Sequence, residues 1–380
     1  MRNIILLGLT SLLTDISSEM VYPLLPFFLT ATLGASPAIL GLVEGIAEST
    51  ASLLKVFSGY ISDRFRRRLP LAILGYAGSV AGKILLVLAG GWGTVLAGRV
   101  VDRIGKGIRT APRDALIAES ASPGARGRAF GLHRAMDTAG AAAGVVFAYW
   151  FLATGAGGYA QIFTWAVLPA LLGVVILFLV REHRPPVPAT LRLPSFRWNI
   201  LPRRLRVFLI IVMVFTLGNS SNTFLLLRAH AVHFTAADVL LLYLVYNAAY
   251  ASCSYPAGHL SDLIGRRNLL LAGYLSYALV YLGFALLGDG TPQWAVWALF
   301  AAYGLYSALT EGVEKALVAD LAPAEHRATA IGLHATIVGI GLLPASFIAG
   351  QLWVALGPEA AFALGSITGI MAVFGLLLFL

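Results

Sequence analysis

The sequence predicts an all-α membrane protein of twelve transmembrane helices, arranged as two pseudo-symmetric six-helix bundles. Three observations carry that prediction: an apolar composition, apolar runs of membrane-crossing length, and an internal repeat at an offset near 200 residues. Hydrophobic residues make up 58% of the 380-residue chain and charged residues only 12%, against roughly 25% charged in an average soluble domain. A soluble fold has no interior large enough to hide that much apolar surface.

About 20 apolar residues are needed to cross some 30 Å of hydrocarbon as a helix. Runs of that length lie near 3–33, 38–61, 70–90, 93–118, 128–153 and 159–180, and again near 205–230, 237–259, 269–288, 294–319, 328–353 and 359–380. They are expected as helices because backbone polar groups in lipid must be satisfied within the segment or in a closed barrel, and the alternation of barrel strands is missing. The first run carries Asp15 and Glu19 and is too long for a signal-peptide core, so it is read as a retained helix.

The net charge of +9 would suit a polyanion-binding surface if it were spread over a soluble domain. Instead, Arg2, Arg64, Arg66, Arg67, Arg68, Arg126, Arg128, Arg181, Arg184, Arg192, Arg197, Arg203, Arg204, Arg206, Arg266, Arg267 and Arg327 lie at the N-terminus or after even-numbered spans. Arg228 is the one exception to consider. The positive-inside rule then predicts a multi-pass protein of the cell inner membrane with both termini cytoplasmic, bathed in membrane lipid and needing no nucleic acid. Cys253 is the single cysteine, which excludes an intramolecular disulfide and any cysteine-based metal cluster.

Residues 181–204 form the one long polar, proline-rich stretch, and six spans lie on each side. They are expected to link an N-terminal bundle (1–180) to a C-terminal one (205–380). Gly59-Tyr-Ile-Ser-Asp63-Arg-Phe-Arg-Arg67 follows the second span, and Gly258-His-Leu-Ser-Asp262-Leu-Ile-Gly-Arg266-Arg267 follows the eighth. Ala115-Leu-Ile-Ala-Glu119 and Gly131-Leu-His133 likewise match Ala316-Leu-Val-Ala-Asp320 and Gly332-Leu-His334, both at an offset of 201. A shared register of this kind is the mark of duplication.

These loop motifs resemble the cytoplasmic signature of the major facilitator superfamily, although the first copy has Arg66 where the family has glycine. The resemblance covers essentially the whole chain and implies two bundles facing each other across a central cavity, each built from inverted three-helix repeats. It also implies that Asp63 and Asp262 pair with basic groups to close a cytoplasmic gate. Asp63, Arg64, Arg67, Arg109, Arg113, Asp262, Arg266 and Arg267 are the gate candidates, since a carboxylate beside an arginine cluster gains charge-assisted bonds that can be made and broken.

Ionisable side chains at membrane depth are costly and therefore functional candidates. Asp15 and Glu19 share a face of the first span, Glu44 and Glu48 of the second, and His133 and Asp137 of the fifth, while Arg99, Arg103 and Lys106 form a basic stripe on the fourth. Glu48, Asp102, Arg103 and Asp137 each fall roughly 15 Å from a helix end, at the bilayer midplane, where such transporters bind substrate. Asp15, Glu19, Glu48 and Asp137 are the candidate proton carriers, because a carboxylate at this depth can toggle between charged and neutral forms. Glu44, Asp102, Arg103 and Arg134 are substrate-cavity candidates. A static ion-pair lattice is the alternative for any one of them.

The second half is polar but neutral at the corresponding level, and Asn219, Asn222, Tyr246, Asn247 and Glu311 are its cavity candidates. Glu314 and Lys315 are read as structural. His133 and His334 occupy matching repeat positions, so duplication explains them more economically than a metal site. No metal or other cofactor is expected, and without a phosphate-binding Gly-x-x-x-x-Gly-Lys-[Ser/Thr] loop the driving force is a gradient.

The leading expectation is a secondary transporter that moves a small organic solute by alternating access, working as a monomer in proton-coupled efflux. Enzyme chemistry is not expected, because no nucleophile–base pair stands out. Drug/proton antiporters are the branch it resembles, except that Gly140-Ala-Ala-Ala-Gly144 carries no Gly-Pro signature. A proton-coupled importer of a charged metabolite is the alternative. A transporter-like sensor is a lesser one, since Met1 and Leu380 leave no room for an appended soluble domain.

Overall fold

The computed structural model describes residues 2–65, 67–121, 126–182, 201–323 and 327–380. Twelve helical spans account for these residues, with no strand among them. The first span begins as α1 (Arg2–Val21), then changes pitch through a 3₁₀ turn (Tyr22–Leu24), one α-turn (Leu25–Phe27) and a π-turn (Phe28–Thr32). Pro23 and Pro26 cause the change, because each removes a backbone donor and crowds the preceding turn. The other spans of the first half are α2 (Pro37–Phe65), α3 (Arg68–Val87), α4 (Trp92–Ser120), α5 (Arg126–Ala153) and α6 (Tyr159–Leu177).

The seventh span is interrupted where the sequence predicts one helix over 205–230. It consists of α7 (Arg203–Gly218) and α8 (Thr223–Ala231), with Asn219–Asn222 between them belonging to neither helix. Asn and Ser side chains offer local bonds that compete with the helical ladder. The second half continues as α9 (Ala236–Ile264), α10 (Arg266–Ala285), α11 (Gln293–Leu321), α12 (Arg327–Leu356) and α13 (Pro358–Phe379).

Local signals fix the helix ends. Ser36 starts α2, its Oγ accepting from the Ile39 amide at 3.4 Å, with Pro37 in the first helical position. Thr235 and Asp238 form a reciprocal capping box at the start of α9, with bonds of 3.2 and 3.1 Å. Gly265 turns α9 into α10 at φ +90°, a conformation that side chains with a Cβ resist.

Among the described residues, ten spans are long and apolar enough to cross a membrane by length and composition. The remaining two are the repeat-related α4 and α11, which carry Arg99, Asp102, Arg103 and Lys106 in one case and Glu311, Glu314 and Lys315 in the other.

The chain divides into two compact units, one of residues 1–35 and 46–192, the other of 36–45 and 193–380. In unit 1, α3 and α4 interlock through glycines: a Cβ on Gly75 or Gly82 would strike the carbonyl of Gly105 or Gly98, and the reverse also holds. Small residues let membrane helices approach this closely. Gly140 and Gly144 seat α5 on the backbone of Leu12 and Ile16 of α1 in the same way. Unit 2 is built around stacked rings, with Phe215 at 4.3 Å from Tyr274 and 4.7 Å from Tyr277, and Tyr277 at 4.1 Å from Tyr281. Arg228 owes its place away from the other arginines to burial. It donates to the carbonyls of Phe284 (3.1 Å) and Leu287 (2.5 Å) and to the Glu359 carboxylate (2.9 Å), so its charge is neutralised inside unit 2.

Candidate functional site

In unit 1 the fold gathers charges from three helices into one network. Arg103 of α4 lies 3.3 Å from Glu48 of α2 and 3.6 Å from Asp102, while Arg99 lies 3.6 Å from Glu48 and 3.9 Å from Asp102. Lys83 of α3 completes it, 3.5 Å from Asp102 and 3.3 Å from the Ser18 hydroxyl of α1. Lys83, Arg99, Asp102 and Arg103 are all buried, and Glu48 is partly exposed. Arg99 also stands over the Tyr22 ring at 5.5 Å, so its planar face is used as well as its N–H groups.

Sequence reasoning assigns Lys83 no role, because a single lysine in the third span gives no hint of which neighbour it meets. The glycine seam is the signal that could have found it. Gly75 and Gly82 mark the α3 face that meets α4, and Lys83 follows Gly82 directly.

Asp15 is half-buried on α1, and the charges that act on it are Asp137, Lys106, Arg109 and Arg113. Glu19 lies one turn further along the same helix, with Oε2 buried. Asp137 meets His133, one turn earlier in α5, at 3.5 Å, whereas Arg134 is exposed. Glu44 separates from Glu48 although the two are one helical turn apart. Residues 36–45 belong to unit 2, where Glu44 is fully buried and accepts from the Ser221 hydroxyl at 3.5 Å.

That hydroxyl lies in the break of the seventh span, where Asn219 and Asn222 also bond to tyrosines of unit 2, whereas Asn247 and Glu311 find their partners elsewhere. Asn219 donates to the Tyr306 hydroxyl at 3.4 Å, Asn222 accepts from the Tyr303 hydroxyl at 2.8 Å, and Tyr277 donates to the Gly218 carbonyl at 2.9 Å. Tyr246 stacks on Tyr303 at 5.2 Å. Asn247 returns its amide to the Tyr243 carbonyl of its own helix at 2.9 Å. Glu311 accepts from Tyr250 at 2.6 Å and lies 3.7 Å from Lys315, one turn on. Unwound backbone at membrane depth occurs where protein or a polar cavity satisfies it, and discontinuous helices of this kind build transporter binding sites.

Among the gate candidates, Asp262 lies 3.5 Å from Arg266, which also pairs with Asp320 at the end of α11. Arg68 and Glu119 make the equivalent pair between α3 and α4. Arg267 binds the Leu376 and Leu377 carbonyls of α13 at 3.1 and 3.2 Å. Arg109 is buried, over the Tyr76 ring at 4.5 Å and bonded to Ser79, and Arg113 binds Asp114 (2.8 Å) and Ser11 (3.2 Å). Arg67 is exposed at the start of α3. The side chains of Asp63 and Arg64, and all of Arg66, lie outside the described residues.

A cavity of about 580 Å³ opens between α9 and α11 of unit 2, lined in part by Tyr250, Ser254, His259, Asp262 and Arg266. Among the described residues no three His, Cys, Asp or Glu side chains come together as a metal site.

The sequence profile described as Major Facilitator Superfamily matches residues 7–226 and 207–380. An uncharacterized MFS-type transporter of Methanocaldococcus jannaschii is 42% identical over 385 aligned positions, covering 99% of this chain and 94% of that protein. A multidrug resistance protein of Edwardsiella ictaluri, MdtH, is 25% identical over 337 positions, covering 87% and 81%. Among solved structures, the nucleoside transporter NupG superposes with a TM-score of 0.81 at 13% identity, covering 99% of this chain and 98% of that one, a likeness of fold. A family match across both halves, a 42% identical relative over nearly the full length and an all-helical duplicated fold agree: the chain belongs to the major facilitator superfamily and is a multi-pass membrane transporter, not an enzyme.

Proposed function

We propose that this transporter exports a small organic solute in exchange for protons, by alternating access. The charge network of unit 1 carries the reading. Opposed charges at membrane depth are costly to bury, and the Glu48 carboxylate, partly exposed between Arg99 and Arg103, can release its cations when a proton or a substrate replaces them. Asp15 and Asp137 add carboxylates within electrostatic reach of each other. Outward movement is supported by the name of the Edwardsiella relative, a multidrug resistance protein.

The same reading places the protein in the cell inner membrane as a monomer, with both termini and the 181–204 linker in the cytoplasm and bundles of residues 1–180 and 205–380. In it the arginine-rich loops form the inner gate. The amides and tyrosines around the seventh-span break contact the organic part of the solute.

A thermal-shift screen of small organic compounds on the purified protein supplies a ligand for transport assays. Inverted vesicles with an acidic interior are expected to accumulate that ligand, and Asp15→Asn, Glu48→Gln and Asp137→Asn are expected to abolish the pH dependence in at least one case. Normal transport with unchanged pH dependence in all three variants would remove the proton-carrier assignment. Accumulation in right-side-out vesicles under an inward proton gradient would reverse the direction.

A further inference from the structure

Unit 2 contains a buried acid–base cluster that the proposed coupling does not use. His334 of α12 places Nε2 3.1 Å from Oε2 of Glu314 on α11, and the Tyr274 hydroxyl of α10 donates to Oε1 of the same carboxylate at 2.9 Å. Exposures are 3% for His334, 9% for Glu314 and 0% for Tyr274, so bulk water does not settle their charges. Nδ1 of His334 is buried and has no hydrogen-bond partner among the described residues.

Duplication explains the histidine but not its acid. His133 and His334 correspond at an offset of 201, yet at that offset Glu314 corresponds to Arg113, and Asp137 to Val338. Each unit nevertheless gives its histidine one carboxylate: Asp137, from the same helix, reaches Nδ1 of His133 at 3.5 Å, and Glu314, from a different helix, reaches Nε2 of His334. The second ring nitrogen is buried without a partner among the described residues in both. A scaffold copied by duplication would carry the acid at one position, so the common feature is the carboxylate–imidazole pair itself.

We propose that Glu314 and His334 form a second proton-binding site, which holds one shared proton in this conformation and takes up another when Nδ1 gains a water or a polar partner. A neutral ring has one N–H, and directing it from Nε2 to Glu314 leaves Nδ1 as a lone pair. A second proton would put a charged N–H on Nδ1 with nothing to receive it, which low-dielectric surroundings penalise. Proton uptake is thereby tied to a change of environment at that nitrogen, the property a coupling site requires.

The groups around the pair fit this assignment. Facing it are Tyr274 from α10 and Tyr306 from α11 itself, both in electrostatic reach of Glu314. Glu311 and Lys315 neighbour it on α11 and pair with each other, Glu311 also holding Tyr250 of α9. From α7, Met213 and Thr216 lie where a Cβ on Gly341 would reach. Arg206 is the α7 cation nearest in sequence to these residues. The acid of α13, Glu359, is engaged by Arg228.

The proposal rests on the proton coupling argued above only for its role in transport; proton binding can be read directly. The full chain, ¹⁵N-labelled at its seven histidines and purified in detergent, is titrated from about pH 5 to 9. The His334 ring signal, assigned by its loss in His334→Gln, is expected to pass from a neutral Nε2–H form to the doubly protonated form, with a midpoint moved by about one pH unit or more in Glu314→Gln. Tyr274→Phe, which keeps both partners, is expected to move the midpoint by less and serves if Glu314→Gln fails to fold. A ring that stays in one form throughout, or midpoints unmoved by both variants, overturns the site. Asp15→Asn, Glu48→Gln and Asp137→Asn are expected to leave this titration in place, so a failure of unit 1 coupling and a failure of the second site are separate results.

Discussion

Removing the Lys83 ammonium leaves the Asp102 carboxylate buried beside the two arginines of its own helix, at 3.6 and 3.9 Å. Breaking a buried ion pair from one side costs about 3–5 kcal/mol when an uncompensated charge stays behind, and the two remaining arginines hold the loss here below that. Lys83→Met is therefore expected to lower the thermal stability of the detergent-solubilised protein moderately. Lys83→Met with Asp102→Asn is expected to lose less than the sum of the single variants, with a coupling of about 0.5–3 kcal/mol. Strictly additive losses in the melting curves would mean that the two side chains do not depend on each other. At this scale the sequence shows which residues are charged and at what depth, because depth follows from position along a helix. It does not show pairing. Glu44 and Glu48 share a helical face, yet Glu44 meets Ser221 and Glu48 meets Arg99 and Arg103. Which partner a side chain meets is set by helix packing, which one-helix periodicity does not contain.

Helices are the most legible level. An apolar run of fixed length, closed by Gly, Pro or an arginine cluster, has one stable form in lipid, and the expected span at 128–153 is found as Arg126–Ala153. The seventh span is the exception. Four polar residues inside an otherwise apolar run leave its average hydropathy high, while their side chains bond to Glu44, Tyr303 and Tyr306 where the ladder opens. The α3–α4 seam gives a direct test of packing at this level. A methyl group on Gly105 would meet the Gly75 carbonyl and the Ser79 backbone, neither of which can rotate away. Gly105→Ala is expected to cost about 1–3 kcal/mol as overpacking. Gly131→Ala is the control, since nothing lies near its Cβ position in α5; replacing a helical glycine there is expected to be neutral or to stabilise by up to about 1 kcal/mol. Equal melting temperatures for the two variants would contradict the interlocked seam.

Across the whole chain, duplication preserves connections more faithfully than it preserves charges at depth. The pair Arg68–Glu119 ties α3 to the end of α4, and Arg266–Asp320 ties α10 to the end of α11, each arginine being the first residue of its helix although the loop motifs align Arg266 with Arg67. Matching Ala-Leu-x-Ala-acid segments reveal both acids in the sequence, but their basic partners sit in a different motif about 50 residues upstream. Only folding joins the two motifs. Arg266 is partly exposed and Asp320 exposed, so a tie of this kind contributes at most about 1 kcal/mol to stability. Their place in both units argues instead for fixing the angle between neighbouring helices. Arg266→Ala is then expected to change the melting temperature little and to slow transport of the screened ligand in vesicles. Exchanging the charges, Arg266→Asp with Asp320→Arg, restores an attractive pair, and transport should recover relative to Arg266→Asp alone. The corresponding exchange, Arg68→Glu with Glu119→Arg, should behave alike in unit 1. If neither exchange recovers transport while both proteins remain folded, the arginines act through some contact other than these acids, and the common role of the two ties falls.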